Sequence, residues 1–210
     1  MLLLPVLLAG CGGSSGYVVL QPDGGWPTET LRDWVSFGDQ LSVIRVVDET
    51  GPATPPDYKN SGGVIGRRVS ARIERTLWRR PGAPRAPRLI RFNSWGWMME
   101  SDQDPNSPRA PVVGEHEPRL EVGRRYLAVL VRDNGEWFAV GQATMTLAAN
   151  DTVTSEVVAG GPVAGAAALR GKSIEHAAAT VAATSPRPGA TRYRQLPPRE
   201  RLEKIARGGA

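Results

Sequence analysis

Cysteine and histidine are scarce in this chain of 210 residues, which holds one cysteine and two histidines. A single cysteine cannot form a disulfide within the chain, so the sequence does not encode the cross-linked framework of small secreted domains. The two histidines, His116 and His176, leave few candidates for the general base that a serine or cysteine nucleophile requires. The one Gly-x-Ser-x-Gly match, at residues 12–16, lies in a Gly/Ser string, so the sequence indicates no nucleophile elbow between a strand and a helix. These shortages argue against a hydrolase of the serine–histidine type.

Long apolar runs and blocks of like charge are missing as well. The apolar stretch at residues 2–9 is too short to span a bilayer as a helix, which takes about 20 residues. The net charge is +5, from 26 basic and 21 acidic residues, and no block of five or six like charges occurs. A basic balance fits an anionic partner such as nucleic acid, a lipid headgroup or a wall polymer. A solvated surface that carries charges of both signs also explains the balance, and we favour this interpretation because no block of like charges occurs.

The first residues of the chain have the layout of an export signal. Residues 2–9 form an apolar core of signal-peptide length, and small residues follow it. The segment Leu8-Ala9-Gly10-Cys11 resembles the lipobox of bacterial lipoproteins, in which the cysteine sulfur carries a diacylglycerol and becomes the mature N-terminus. Two acyl chains anchor a protein stably, whereas one holds it only marginally. The resemblance implies a signal peptide over residues 1–10 and a lipid anchor at Cys11.

Two further interpretations of this segment stay open. No Lys or Arg precedes the apolar core, which indicates either an atypical signal or a start further upstream. The segment could also be a buried N-terminal strand, with Cys11 as a small core residue. We favour the lipid anchor and expect an extracytoplasmic location, a membrane partner at the anchor and no nucleic-acid partner.

Three regions are predicted after the signal. Residues 11–30 are predicted to form a flexible tether, because a Gly/Ser string opens the segment. Residues 17–20 could instead pack as an edge strand. Residues 31–184 are predicted to form one domain, and residues 185–210 a loose, basic tail that could contain a short helix over residues 199–207.

Alternation of apolar and polar side chains predicts a mainly β domain. The clearest strand is predicted over residues 64–79, where Val69, Ala71 and Ile73 alternate with polar residues, as in an antiparallel sheet with one wet face. Further strands are predicted at residues 40–49, 88–93, 125–132, 136–146 and 153–158. A short helix ending at Gly38 and a helix over 173–184 are also predicted. The strand spacing predicts a small antiparallel barrel, closed or partly closed, with a C-terminal helix.

The order of these segments resembles a group of secreted actinobacterial proteins. The resemblance rests on LSVIRVV near the start, GRRYLAVL and WFAVGQ in the middle and LRGKSIEHAAATV at the end, and covers residues 33–184. Proteins of that group are taken to have OB-fold barrels akin to netrin-like and metalloproteinase-inhibitor domains, without assigned chemistry. The inhibitors chelate zinc with a free N-terminal cysteine. Here that cysteine would be acylated, so the resemblance implies the barrel and not that mechanism.

The strongest candidate contact surface is formed by Trp95, Trp97, Met98 and Met99. These residues stand at the mouth of what the sequence predicts to be a long loop over residues 95–114. Exposed there, they would form an apolar patch for a protein, a peptide, a glycan or the membrane interface. Buried, they would cap an open end of the barrel. The sequence leaves both interpretations open.

The candidate metal ligands are weak. His116 lies between two glutamates, but adjacent residues rarely point to one centre, so a polar surface turn is favoured. Asp102, Asp104 and Asn106 have the spacing that begins a calcium loop, yet the loop lacks its usual Gly and Glu further on. The sequence therefore predicts no metal and no cofactor.

Together these observations predict a non-catalytic binding or scaffold module, monomeric, at the outer face of a membrane. One alternative is an inhibitor or accessory protein of a secreted hydrolase, by analogy of fold. Another is a metal-dependent enzyme with its metal at His116.

Overall fold

The computed structural model describes residues 17–20, 27–51, 64–99 and 109–208, with side chains through residue 205. Cys11 and the calcium-like segment at residues 102–106 lie outside these ranges. In chain order the elements are β1 (Val18–Leu20), α1 (Leu31–Phe37), β2 (Gln40–Thr50), β3 (Val64–Arg79), β4 (Leu89–Met99), β5 (Arg109–Gly114), β6 (Arg125–Asp133), β7 (Glu136–Thr146), α2 (Ala164–Leu169), α3 (Ile174–Ala183) and α4 (Pro198–Gly208). No helix in the described ranges is long and apolar enough to cross a bilayer.

The seven strands form one mixed sheet, in the order β1-β5-β4-β3-β2-β6-β7, that curves into a half-barrel. Irregularities in the pairing of β2 with β3, such as the one between Val46 and Asp48, help to bend the sheet. The predicted antiparallel arrangement holds except at one edge, where β1 runs parallel to β5 with Val18 opposite Val112. Two strands joined by a tight hairpin turn must pair antiparallel. β1 and β5 are not joined by a turn, because β2, β3 and β4 lie between them in the chain, so they can pair in parallel.

The alternation predicted for β3 is confirmed in part. Val69 and Ala71 are fully buried, and Arg68 and Arg72 on either side of them are exposed, but Ser70 between them is also buried. β3 pairs with β2 on one side and with β4 on the other, so its backbone forms hydrogen bonds along both edges. The strand therefore presents one apolar face to the barrel interior and one charged face to water.

The core consists of two apolar clusters, and β6 separates them. Leu127 and Val129 point into a cluster covered by the helices, which also contains Trp34 and Ile174. Their neighbours in β6, such as Leu130, point into the barrel interior with Val69 and Phe92. A strand buried on both faces has a continuous apolar sequence, which explains the run at residues 126–131.

The predicted helices α1 and α3 are confirmed, and each begins at a side-chain cap. Thr30 and Asp33 form a capping box at the start of α1, and Ser173 accepts a hydrogen bond from the backbone of His176 at the start of α3. The six-residue helix α2 is not predicted by the sequence. It begins at Val163 without a side-chain cap, after Gly and Pro residues that favour a loop.

Two predicted segments differ from the structure. The predicted loop over residues 95–114 is wrong, since β4 continues to Met99 and β5 occupies residues 109–114. The predicted strand at residues 153–158 is also wrong. Val153 makes an isolated bridge with Leu147. The backbone of Ser155 is left-handed, with φ of 51°, so the extended conformation ends there.

The C-terminal segment contains ordered turns followed by helix α4. The Arg201 side chain of α4 is fully buried, and its Nη2 donates a hydrogen bond to the Phe37 carbonyl at 2.7 Å. Asp39 lies 3.8 Å from the same guanidinium. These contacts attach α4 to the chain that links α1 with β2.

Candidate functional site

The candidate site is a cavity of about 400 Å³ in the gap between β4 and β7, where the half-barrel does not close. Phe92 and Trp95 line it from β4, and Gly141 and Thr144 line it from β7. Glu117, in the turn after β5, is the one titratable residue among the described residues that line it. A concave space with apolar walls and one charged group is the usual form of a small-molecule site.

The turn that follows β5 directs Glu117 into this cavity. His116 has a left-handed backbone with φ of 64°, and its N–H donates to the Ala159 carbonyl at 3.1 Å. The Glu117 N–H then donates to the Gly114 carbonyl at 3.2 Å, which closes the turn. The chain therefore reverses at the end of β5 and carries the Glu117 side chain back across it.

One hydrogen bond and two glycines hold the Glu117 carboxylate. The indole N–H of Trp95 donates to Glu117 Oε2 at 3.0 Å. A Cβ built on Gly114 would lie 2.5 Å from Oε2 and 2.9 Å from the indole nitrogen of Trp95. A Cβ built on Gly141 would overlap the other carboxylate oxygen. The carboxylate therefore fits only because residues 114 and 141 have no side chains.

Burial raises the pKa of Glu117 above its ordinary value, and the hydrogen bond from Trp95 lowers it in part. Within the described residues no ion pair reaches this carboxylate, and no charged neighbour contributes to the pKa shift. A carboxylate in such surroundings either takes up a proton or gains from a cation placed beside it.

A β-bulge at Gly96 separates the two tryptophans of β4. Gly66 pairs with Trp95 and Ile65 with Trp97, so Gly96 has no partner of its own. A Cβ on Gly96 would overlap the Ile65 carbonyl, so no other residue fits the bulge. Trp95 contacts Glu117, whereas Trp97 lies further along the strand, opposite Pro111 in the first half of β5.

Arg119 joins β4 to β5 next to Trp97. Its Nη1 donates to the Gly96 carbonyl at 2.9 Å and to the Val112 carbonyl at 2.8 Å. Its guanidinium carbon lies 5.5 Å from the centre of the Trp97 ring, within cation–π distance. The Trp97 ring is therefore held against the sheet by a fixed cation.

The four residues predicted as a contact surface occupy three different places. Trp95 lines the cavity, Trp97 and Met98 are half-buried on the part of β4 that pairs with β5, and Met99 is only 6% exposed. Whether Trp97 and Met98 contact a partner stays a prediction. Met99 is part of the protein interior and contributes little to any surface.

His116 lies near the cavity but outside it. Its Nδ1 is 2.7 Å from the Gly161 carbonyl, and the Glu115 carboxylate is 3.8 Å from its Nε2. His176 is exposed on α3. The described ranges contain no group of three or more His, Cys, Asp or Glu side chains placed to hold a metal ion.

Glu117 is the candidate site residue that sequence reasoning misses. In the sequence it is only a neighbour of His116, and Trp95, its partner, lies 22 positions earlier. The two glycines that enclose it stand at residues 114 and 141, on different strands. No local pattern links these four residues.

Neither family models, nor curated proteins, nor solved structures give a match to this chain.

Proposed function

We propose that the protein is an extracytoplasmic lipoprotein, anchored at Cys11, whose barrel binds a small organic cation in the Glu117 cavity without transforming it. The observation that carries the ligand proposal is the enclosed Glu117 carboxylate, which lacks a counter-charge among the described residues. An ammonium group of a ligand would supply that charge.

The cavity walls suit such a ligand. Phe92 and Trp95 provide aromatic surface, and aromatic rings attract cations as well as apolar groups. Ser94 and Thr144 add hydroxyl groups to the lining, although Thr144 already donates to the Val140 carbonyl at 2.7 Å. A volume of about 400 Å³ is at the small end of the range for ligand sites, which favours a compact amine over a peptide or a sugar chain.

The arrangement of the strands supports an OB-type barrel as the scaffold of this site. The consecutive strands β2, β3 and β4 lie side by side, the β6–β7 hairpin adds to the free edge of β2, and β4 and β7 approach each other. A five-stranded, partly open barrel of this kind commonly binds ligands on its surface and in its loops.

The position of β1 bears on the proposed membrane anchor. Five residues separate Cys11 from Tyr17, where the described chain begins, and an extended chain spans at most about 3.6 Å per residue. An acyl group at Cys11 would therefore keep the β1 edge of the sheet within roughly 20 Å of the lipid. Trp97 and Met98 lie on β4, two strands from β1, so a contact of these side chains with the membrane interface is part of the proposal.

Ligand binding is tested on the full-length protein with ethanolamine, choline and spermidine as cationic probes and glycerol as a neutral probe. We expect at least one cation to raise the melting temperature saturably and to change tryptophan fluorescence. Glu117→Gln keeps the shape and should weaken that binding by about tenfold or more, equivalent to about 1.4 kcal/mol. Glu115→Gln removes a neighbouring charge outside the cavity and should leave it unchanged. Equal binding by the Glu117→Gln protein, or no binding of any cation, would overturn the cation site.

The anchor is tested by mass spectrometry of the mature protein from its own cell. We expect an N-terminal Cys11 that carries a diacylglycerol thioether. An intact, unacylated chain that begins at Met1 would refute the lipid anchor and leave the cavity proposal unaffected.

A further inference from the structure

A positively charged concavity lies between α1 and the C-terminal segment, far in sequence from the Glu117 cavity. It has a volume of about 730 Å³, compared with about 400 Å³ for the Glu117 cavity. Four basic side chains line it, Arg32, Arg187, Arg192 and Lys204, and no acidic residue does so in the described ranges. The name basic cleft is used below for this concavity.

The charges of the basic cleft are mostly uncompensated. Arg32, Arg192 and Lys204 are exposed, and none of them forms an ion pair with a described residue. Arg187 is the exception, since its Nε lies 2.5 Å from Asp33, a carboxylate that is itself buried. About three unpaired positive charges therefore share one concavity, which favours a ligand with several negative oxygens.

The wall of the basic cleft is fixed to the rest of the fold. The Arg187 N–H donates to the Ser36 hydroxyl at 2.7 Å, and the Arg187 guanidinium pairs with Asp33 on the same helix. Ala190, three residues on, is only 4% exposed. The chain segment that carries Arg187 and Arg192 is thus attached to α1 at two points, and the concavity does not depend on side-chain placement alone.

A tight turn sets the position of Arg192. Gly189 has φ of +81°, a left-handed backbone that favours glycine, and the Tyr193 N–H donates to its carbonyl at 3.2 Å. The guanidinium carbon of Arg192 lies 5.5 Å from the centre of the Tyr193 ring. This cation–π contact orients the guanidinium and leaves its N–H groups available for a ligand.

We propose that the basic cleft is a second binding site, which takes a phosphate-bearing anion. Guanidinium groups bind phosphate oxygens through paired N–H donors, and the ammonium of Lys204 adds a point charge from α4. The four cations come from three separate parts of the chain, so they can surround a phosphate group from different sides. The phosphate can belong to a lipid headgroup or to a soluble molecule, and both have the same recognition chemistry.

The test compares two double variants of the full-length chain that change its charge equally. Arg192→Glu/Lys204→Glu reverses two charges of the basic cleft. Arg88→Glu/Arg91→Glu reverses two exposed arginines on and just before β4, outside the cleft. Every chain carries Cys11→Ser, so that acyl chains do not contribute to vesicle binding and the result does not depend on the lipid anchor.

The soluble probe is inorganic tripolyphosphate, measured by calorimetry. We expect saturable binding that weakens with salt and falls by about tenfold or more in the cleft variant, since each basic residue near an anionic surface contributes about a fivefold factor. The control variant should change affinity by less than about threefold. Equal losses in both variants would show general charge attraction and would refute the site, as would an absence of tripolyphosphate binding.

The lipid arm uses vesicles of phosphatidylcholine with and without phosphatidylglycerol. If the phosphate belongs to a headgroup, the parent chain should sediment with the anionic vesicles more than the cleft variant does, and tripolyphosphate should compete. If tripolyphosphate binds and the vesicles do not discriminate between the two variants, the ligand is a soluble phosphate compound. Both results support the basic cleft as an anion site and identify the source of the anion.

Discussion

The carboxylate of Glu117 lies in the space that a side chain on Gly141 would have to occupy. Gly141 is in the middle of β7, where glycine usually weakens a strand, because it has no side chain to pack and loses more entropy on folding. Its presence is explained by the neighbouring carboxylate. The pair gives a direct test of whether Glu117 is held as the structure describes.

Gly141→Ala should destabilise the protein by about 1–3 kcal/mol, because the new methyl group displaces the Glu117 carboxylate from Trp95. Urea denaturation measures the free energy of unfolding. Gly66→Ala is the matched control, since its Cβ would lie 3.7 Å from the Ser94 carbonyl, an ordinary contact. In the double variant Gly141→Ala/Glu117→Ala, the missing carboxylate should restore part of the loss. Strictly additive losses would show that the two residues do not conflict.

The raised pKa of Glu117 predicts a specific dependence of stability on pH. Between 4.5, its ordinary pKa, and its higher pKa in the native state, the folded chain binds more protons than the unfolded chain does. The free energy of unfolding should therefore decrease as the pH rises through that window and change no further from this group below it. Glu117→Gln removes this contribution, so its stability relative to the parent should increase across the window. Parallel curves for the two proteins between pH 4.5 and pH 8 would contradict the shift.

Trp95→Phe tests the hydrogen bond that holds the carboxylate. The change keeps an aromatic ring in the cavity wall and removes the indole N–H, which donates to Glu117 Oε2. We expect a loss of about 1–3 kcal/mol at neutral pH, because a charged acceptor loses its partner. The loss should be smaller at acid pH, where the carboxyl group is protonated. Trp97→Phe, on the same strand beside Arg119, should show no such dependence on pH.

The elements that sequence predicts well are those with local signals. β3 alternates apolar and polar residues over 68–74, and β6 and β7 are joined by an Asp-Asn-Gly turn in which Asn134 and Gly135 both have positive φ. Helices α1 and α3 begin at capping residues whose hydrogen bonds lie within four positions of one another. In each case the determining contacts are a few residues apart, so the pattern is visible in the chain.

The parts that sequence does not predict depend on contacts between distant residues. The bulge at Gly96 is defined by the opposing strand β3, and the parallel pairing of β1 with β5 joins segments more than 90 positions apart. Glu117 is adjacent to His116 in the sequence, but its carboxylate accepts a hydrogen bond from Trp95 and packs against Gly141. Alternation and capping describe one element at a time, so they contain no information about such groupings.

Arg201 is a second example, because an arginine late in a basic tail is expected to be solvated, yet this side chain is fully buried. Its Nε and Nη1 have no hydrogen-bond partner among the described residues. Burial lowers the pKa of Arg201 to about 10, repulsion from Arg80 adds to this decrease, and attraction to Asp39 opposes it. Two guanidinium groups therefore depend on one carboxylate, which is 3% exposed.

Asp39→Asn should destabilise the protein by about 3–5 kcal/mol, because two buried guanidinium groups lose their shared counter-charge. Asp39 accepts hydrogen bonds from Arg80 Nη2 at 2.5 Å and from the Arg132 N–H at 2.8 Å, and the amide retains the shape but not the charge. Urea denaturation gives the loss. Asp133→Asn, which breaks an ion pair with the exposed Arg199, should cost less than about 1 kcal/mol. Adding Arg201→Met to Asp39→Asn removes the unpaired buried charge, so stability should partly return. If the double variant is as unstable as Asp39→Asn alone, the loss comes from the contacts of Asp39 with Arg80 and Arg132 and not from the unpaired Arg201.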